Sequence, residues 1–275
     1  MMRITETVKH LIIINVIFWI ATLVLAERGI DLNNILALHF PLNDSFEFWQ
    51  PISSMFMHSM ASPAHLLFNM IGLWMFGSAL EQRWGKMKFL SFYMIAGVGA
   101  GLVHTLVNYI EFYSITQQVA ELNLSSEQLR QIINADIVNG NQYVGKLLSN
   151  ELPAILNREQ LIAVNDINFR AMFDLNILNQ TQTVGASGAL YGVLVAFGIL
   201  YPNMELMLMF IPIPIKAKYF IPGLLLVDFI GGITGGISLF GAGQIAHFAH
   251  LGGALFGFLL MLYFKKTQFN KNRWN

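Results

Sequence analysis

Gly185-Ala186-Ser187-Gly188-Ala189-Leu190-Tyr191-Gly192, carried on by an apolar run to Leu200 and stopped at Tyr201-Pro202, is the stretch that decides the fold. It reads as a short membrane helix with a serine in its first turn. Gly188, Gly192 and Ala196 recur every four residues, so they stack on one face and leave it nearly bare of side chains. A bare face lets the backbone of another helix come close in lipid. Ser187 stands one residue before that face begins. Taken alone, Gly-x-Ser-Gly is better explained by small-residue packing than by chemistry. What the other helices bring to the same depth reverses that balance.

The composition places the stretch in a membrane. Of 275 residues, 55% are hydrophobic and only 12% charged, with a mean hydropathy of +0.54. Ordinary soluble domains carry about 25% charged residues, so this is a polytopic membrane protein that takes the lipid bilayer as its partner. The formal net charge is zero and gives no sign of a nucleic-acid partner. There is no cysteine, which excludes disulfides, thiolate nucleophiles and cysteine metal sites together.

The apolar pattern gives six spans, at residues 11–26, 64–80, 89–110, 186–201, 219–237 and 245–264. The first follows Arg3 and Lys9 as a signal peptide would. It is long and lacks a small-x-small cleavage site, so it reads as a retained span. Residues 27–63 are too broken by Pro41, Pro51 and Pro63 to cross. They are also too rich in aromatics (Phe40, Phe46, Phe48, Trp49, Phe56) to be simply solvated, and are expected in the membrane interface. Residues 111–183 are rich in Asn, Gln and acids and hold no run long enough to span. Within them, 122–133 and 155–173 show helical apolar spacing. The expected fold is therefore an all-α, six-helix membrane bundle with a polar, partly helical outward insertion between the third and fourth helices. No charge block or Gly/Pro tract marks a separate domain, so residues 1–275 read as one membrane domain with 111–183 as an extracytoplasmic insertion within it.

Basic residues set the expected orientation. With the N-terminus inside, the inner segments hold Arg3, Lys9, Arg83, Lys86, Lys88, Lys216, Lys218, Lys265, Lys266, Lys271 and Arg273, which is 11 of the 16 Lys and Arg. Cytoplasmic loops carry such an excess. Both termini are expected in the cytoplasm, and the first loop and the insertion outside.

Three helices then bring polar groups to one level. Ser187 is 14 residues from Tyr201, and His250 is 14 residues from Phe264. At 1.5 Å per residue both lie about 21 Å above the inner boundary. His65 lies about 22 Å above Leu80 by the same measure, and Asn69 lies one turn deeper on its face. In a core about 30 Å thick this is a buried level near the outer surface, where polar groups are costly unless paired or hydrated and point by default to a functional site.

The chemistry that fits is acyl transfer. A serine needs a positioned base, and histidine can take its proton and later deliver it to the leaving amine. Ala249, Gly253 and Gly257 give the last span a small-residue face of its own, which would let it approach the 188/192/196 face closely enough for Ser187 to meet His250. Tyr191, one turn below Ser187, is placed to pack on the His250 ring. Free amides at the helix start can receive an oxyanion, and His65 and Asn69 can add donors. Asp228 is the only acid within the later spans and is assigned to neighbouring backbone or water, leaving a Ser-His dyad. His247 is a second-choice base or a wall of the water pocket. His58 and His104 are expected at the membrane interface. No ligand set with suitable spacing points to a metal, and no cofactor is expected.

At this point the sequence resembles the rhomboid intramembrane serine proteases. The matching pieces are His65-Leu-Leu-Phe-Asn69, then Glu81-Gln-Arg83-Trp84-Gly85, then Gly185-Ala-Ser187-Gly188 with Tyr191, and Ala249-His250-Leu-Gly-Gly253 with Gly257. They stand in the right order on the right spans and cover most of the chain outside 111–183. The resemblance implies Ser187 as nucleophile and His250 as base, with His65, Asn69 and the Ser187 amide as the oxyanion hole. It implies a multi-pass protein of the bacterial inner membrane that cleaves single-span membrane proteins near the outer face, after a small residue. It also implies that the fifth helix and a mobile cap admit substrate laterally. The glycine-rich residues 231–243, with Gly231, Gly235 and Gly241, match such a cap. Two departures stand out. Trp49-Gln50 replaces a Trp-Arg pair whose arginine orders the first loop in many relatives, and the insertion is long where simpler members have a short link. The alternatives are a rhomboid-like pseudoprotease that binds membrane clients without cutting them, and a small transporter lined by His65, Asn69 and His250. Against the transporter, the two halves show no convincing repeat.

Overall fold

The structure, a computed structural model, describes residues 3–60, 63–140, 142–208, 211–234 and 247–271. The chain forms two compact units. One comprises Met1–Ala37, Trp49–His104 and Val184–Asn275, and the other Leu38–Phe48 and Thr105–Thr183.

The first unit is the helical bundle. Helix α1 (Glu6–Ala26) is followed by the short α2 (Leu32–Leu36) and α3 (Gln50–Ser53) of the first loop. The second span is made of α4 (Pro63–Gly72), a π-helical turn at Leu73–Gly77, and α5 (Ser78–Trp84). Helix α6 (Lys86–Thr116) continues past the expected end at residue 110 and contributes to both units. Among the described residues, five helices are long and apolar enough to cross a membrane, and the Ser187 helix, Ser187–Leu200, is a shorter sixth. Its 14 residues reach only about 21 Å, less than the hydrocarbon thickness of about 30 Å. It can be short because it is interior, with nine of its residues buried.

Where the first loop departs from the family pair, it is nevertheless tied down. Gln50 is fully buried and donates to the Ile35 carbonyl, which also receives Trp49 Nε1–H at 3.2 Å. Ser53 donates to the Leu36 carbonyl at 2.7 Å.

The start of α1 shows what the Glu81 piece does. The first amides of a helix have no intrahelical acceptor. Glu81, on α5, accepts from the Thr7 and Val8 amides at 3.0 Å each and from the Thr5 hydroxyl. A carboxylate is favoured at that end of the helix dipole. Glu81→Ala would leave one buried and one half-buried amide without this acceptor. The expected cost is about 1–3 kcal/mol, read as a lower unfolding temperature in detergent.

The second unit has its own apolar core, including Phe40, Phe112, Ile132, Ile133, Leu148, Leu152, Met172 and Leu175. Its helices are α7 (Ser126–Asn134), α8 (Gly145–Ile155), α9 (Arg158–Ala163) and α10 (Asp166–Gln180), with a hairpin of β1 (Val138–Asn139) and β2 (Gln142–Tyr143) between α7 and α8. The unit starts at Thr105 rather than 111 and recruits Leu38–Phe48 from the first loop. Its many amides have specific work. Asn176 donates to the Ile132 and Ala135 carbonyls and Asn179 to the Ile133 carbonyl, satisfying the orphan acceptors at the end of α7. Gln128 and Gln160 complete capping boxes with Ser125 and Asn157 and bond to each other.

After the Ser187 helix, here α11, the chain makes the antiparallel strands β3 (Glu205–Leu208) and β4 (Ile211–Lys216). Helices α12 (Ala217–Thr234) and α13 (His247–Lys271) complete the first unit.

Candidate active site

The two small-residue faces meet. A Cβ on Gly253 would collide with the Gly188 backbone, and one on Gly257 would lie 2.5 Å from Gly192 Cα. Backbone contact between α11 and α13 therefore depends on these glycines. It sets Ser187, the first residue of α11, opposite His250, in the first turn of α13. His250 Nε2 lies 2.9 Å from Ser187 Oγ. The Tyr191 ring stacks on the imidazole, with centroids 4.2 Å apart and planes 11° from parallel.

The sequence reading misses the group on the far side of that imidazole. Asp228, left there to backbone or water, instead accepts from His250 Nδ1 at 3.0 Å. The same Oδ1 atom receives His247 Nδ1 at 2.7 Å, and Oδ2 receives the Tyr191 hydroxyl. The carboxylate is buried, and these three donors supply its side-chain partners. A depth count of the kind applied to Ser187 carries the signal. Asp228 is ten residues beyond Lys218, or about 15 Å up its span, within about a turn of the serine level. His247 is thus a partner of the carboxylate.

On the other side of Ser187, Gly185 adopts φ +132°, a conformation side chains avoid. Its amide donates to the Ser54 carbonyl at 3.0 Å, fixing the approach to α11. A Cβ at this position would sit 3.1 Å from His65 Cε1, 3.2 Å from His65 Nε2 and 3.3 Å from Ser187 Oγ. The glycine leaves that space open between the histidine and the serine.

Asn69 is turned to a residue the sequence places elsewhere. Its amide nitrogen lies 3.2 Å from His58 Nε2. His58 is fully buried, not spread on the membrane interface, and its ring is 5.2 Å from that of His65. Burial first, and the neighbouring His65 second, push the His58 imidazole down to about 3 from its ordinary value. A neutral ring is what the Asn69 amide needs as acceptor. Since the folded value is depressed, the unfolded chain takes up this proton first as pH falls below about 6.5. Stability is then lost between about pH 6.5 and 3, by up to about 1.4 kcal/mol per pH unit. Unfolding temperatures in detergent should fall on acidification, and His58→Gln should make that decline shallower.

Gly231 is not in a loop. It lies in the last turn of α12, and a Cβ there would meet the His247 ring at 2.6 Å. Gly235 and Gly241 lie outside the described residues. Among the described residues, no group of three or more His, Cys, Asp or Glu is arranged to hold a metal ion.

The described residues thus bring a serine within hydrogen-bond distance of an imidazole, beside a glycine that keeps the neighbouring space open, on helices of an apolar bundle. The comparisons give the class of protein. The sequence model of the Rhomboid domain matches residues 45–113 and 164–267. The chain belongs to the rhomboid family and is a multi-pass membrane protein. It is 27% identical over 179 residues to the rhomboid protease AarA of Providencia stuartii, covering 60% of each chain. It is 28% identical over 92 residues to the rhomboid protease GlpG of Haemophilus influenzae, covering 33% of this chain and 47% of that one. It is also 27% identical over 220 residues to an uncharacterized mitochondrial rhomboid protein of Schizosaccharomyces pombe, covering 78% of this chain and 50% of that one. The matches thus span about half to three fifths of these relatives.

Proposed function

We propose that this chain is an intramembrane serine endopeptidase that cleaves the transmembrane segments of single-span membrane proteins near the outer face, with Ser187 as nucleophile and His250 as general base. The observation that carries the reading is the 2.9 Å contact between Ser187 Oγ and His250 Nε2. As Oγ attacks the scissile carbonyl, its proton passes to Nε2, and the imidazolium gives that proton to the leaving amine. Water then repeats the sequence on the acyl-enzyme. The oxyanion is received beside Gly185, where the first amides of α11 are free and His65 borders the open space. Asn69 supports that wall through His58. A small residue before the cut fits the narrow surroundings of Ser187. The excess of basic residues on the inner segments favours both termini in the cytoplasm of a bacterial cell, with the site opening outward.

The test is reconstitution of the full chain in proteoliposomes with a panel of single-span reporters, alongside labelling by a fluorophosphonate. The expected result is a labelled serine and a cut within the outer part of the reporter helix. A folded protein that takes no label and cuts no reporter would favour a rhomboid-like pseudoprotease that binds membrane clients.

A further inference from the structure

We propose that Asp228 is a positioning residue for this reaction, a buried carboxylate that fixes the tautomer and orientation of His250 and so completes a Ser187-His250-Asp228 relay. The proposal rests on the reading of Ser187 and His250 given above. Its basis is a count of donors. An ionised carboxylate can only accept hydrogen bonds. Asp228 Oδ1 lies 3.0 Å from His250 Nδ1 and 2.7 Å from His247 Nδ1, and Oδ2 receives the Tyr191 hydroxyl. Both Nδ1 atoms must therefore carry the hydrogen. For His250 this leaves Nε2 bare, and Nε2 is the atom that faces Ser187 Oγ at 2.9 Å. The base is thus held in the one tautomer that can take the serine proton. In the step itself that proton moves from Oγ to Nε2 while the Nδ1 proton stays on the ring, and Asp228 stabilises the imidazolium without being protonated.

Orientation is fixed by the same set. The ring is pinned at both nitrogens and stacked on Tyr191, which is itself anchored to the other oxygen of Asp228. His247 makes the carboxylate a shared acceptor and so fixes where it sits. Among the described residues, the groups seen against His250 or its carboxylate are Ser187 and Tyr191 on α11, Asp228 on α12 and His247 on its own helix. Of these, Asp228 alone is a carboxylic acid.

The test compares wild type with Asp228→Asn, using Ser187→Ala and His250→Ala as references, on the full chain in detergent. An asparagine can offer its amide hydrogens to Nδ1 and hold the wrong tautomer. The expected result is a loss of about 10²–10⁴-fold in kcat, with KM within about threefold. A parallel measurement on wild type does not depend on the variant folding. With ¹⁵N-labelled histidine, the Nδ1–H of His250 should give a far-downfield proton resonance that Ser187→Ala retains and His250→Ala loses. If Asp228→Asn keeps kcat within about threefold of wild type while both references are inactive, the relay is wrong and the Ser187-His250 reading stands. A wild type without the downfield resonance would equally overturn the relay. If Ser187→Ala is labelled by a fluorophosphonate as fast as wild type, the reading beneath it falls as well.

Discussion

Ser187→Ala is expected to lose fluorophosphonate labelling and reporter cleavage together, and His250→Ala to lose at least about 10³-fold in both. The two changes remove parts of one device. Without Oγ no bond can form to the probe, and without the imidazole the hydroxyl keeps its proton and remains a weak nucleophile. Their effects should therefore not add, and the double variant should be no worse than Ser187→Ala alone. The 2.9 Å contact makes this comparison sharp, because it joins the two side chains directly. The check is the labelling rate together with the unfolding temperature, which should change little in Ser187→Ala.

The second large effect is structural. Gly253→Ala adds one methyl group, and that methyl would collide with the Gly188 carbonyl. The obstacle is backbone rather than a flexible side chain, so relief requires α13 to move away from α11. Overpacking of this kind costs about 1–3 kcal/mol, and a shift of a few tenths of an ångström at Gly253 also moves His250 one turn earlier. The expected outcome is a lower unfolding temperature and a labelling rate that falls further than the stability loss alone explains. Gly223→Ala supplies the contrast. A Cβ on Gly223 has nothing within 4 Å, and replacing a helical glycine by alanine stabilises by about 0.4–1 kcal/mol where the backbone allows it. One helix should thus resist the methyl that another accepts.

These cases also show what the sequence discloses. The four-residue spacing of small residues in α11 and α13 is a local pattern, and the close approach it predicts is the one found. The depth count aligns Ser187 with His250 because Tyr201-Pro202 and Lys265-Lys266 close both apolar runs at the same remove from those residues. Asp228 escapes because an isolated acid in an apolar span has many candidate partners, and nothing local says that Tyr191, His247 and His250 will converge on it. His58 escapes for a similar reason. It lies in an irregular loop, where no periodicity assigns a face, and only tertiary packing brings it to Asn69. In the insertion, the helical spacing over 122–133 falls on α7, whereas the stretch 155–173 is divided between α9 and α10, and α8 lies before it where no helix is expected. The shared core is not legible, since Phe40 joins it from a segment far away in the sequence.

That borrowed segment bears on how the insertion is to be handled as a part. The backbone of Leu38 pairs with Thr183, Asn43 donates to the Asn179 carbonyl, and Asp44 accepts from Arg130. Phe40 packs on Phe112, with ring centroids 5.4 Å apart. Residues 111–183 are therefore not a cassette that can be excised at its ends. Cutting them out strips residues 38–44 of these partners, so a truncated protein would report on a damaged loop as much as on the missing segment. A redesign that lengthens or shortens this link has to keep, or replace, the partners it gives residues 38–44.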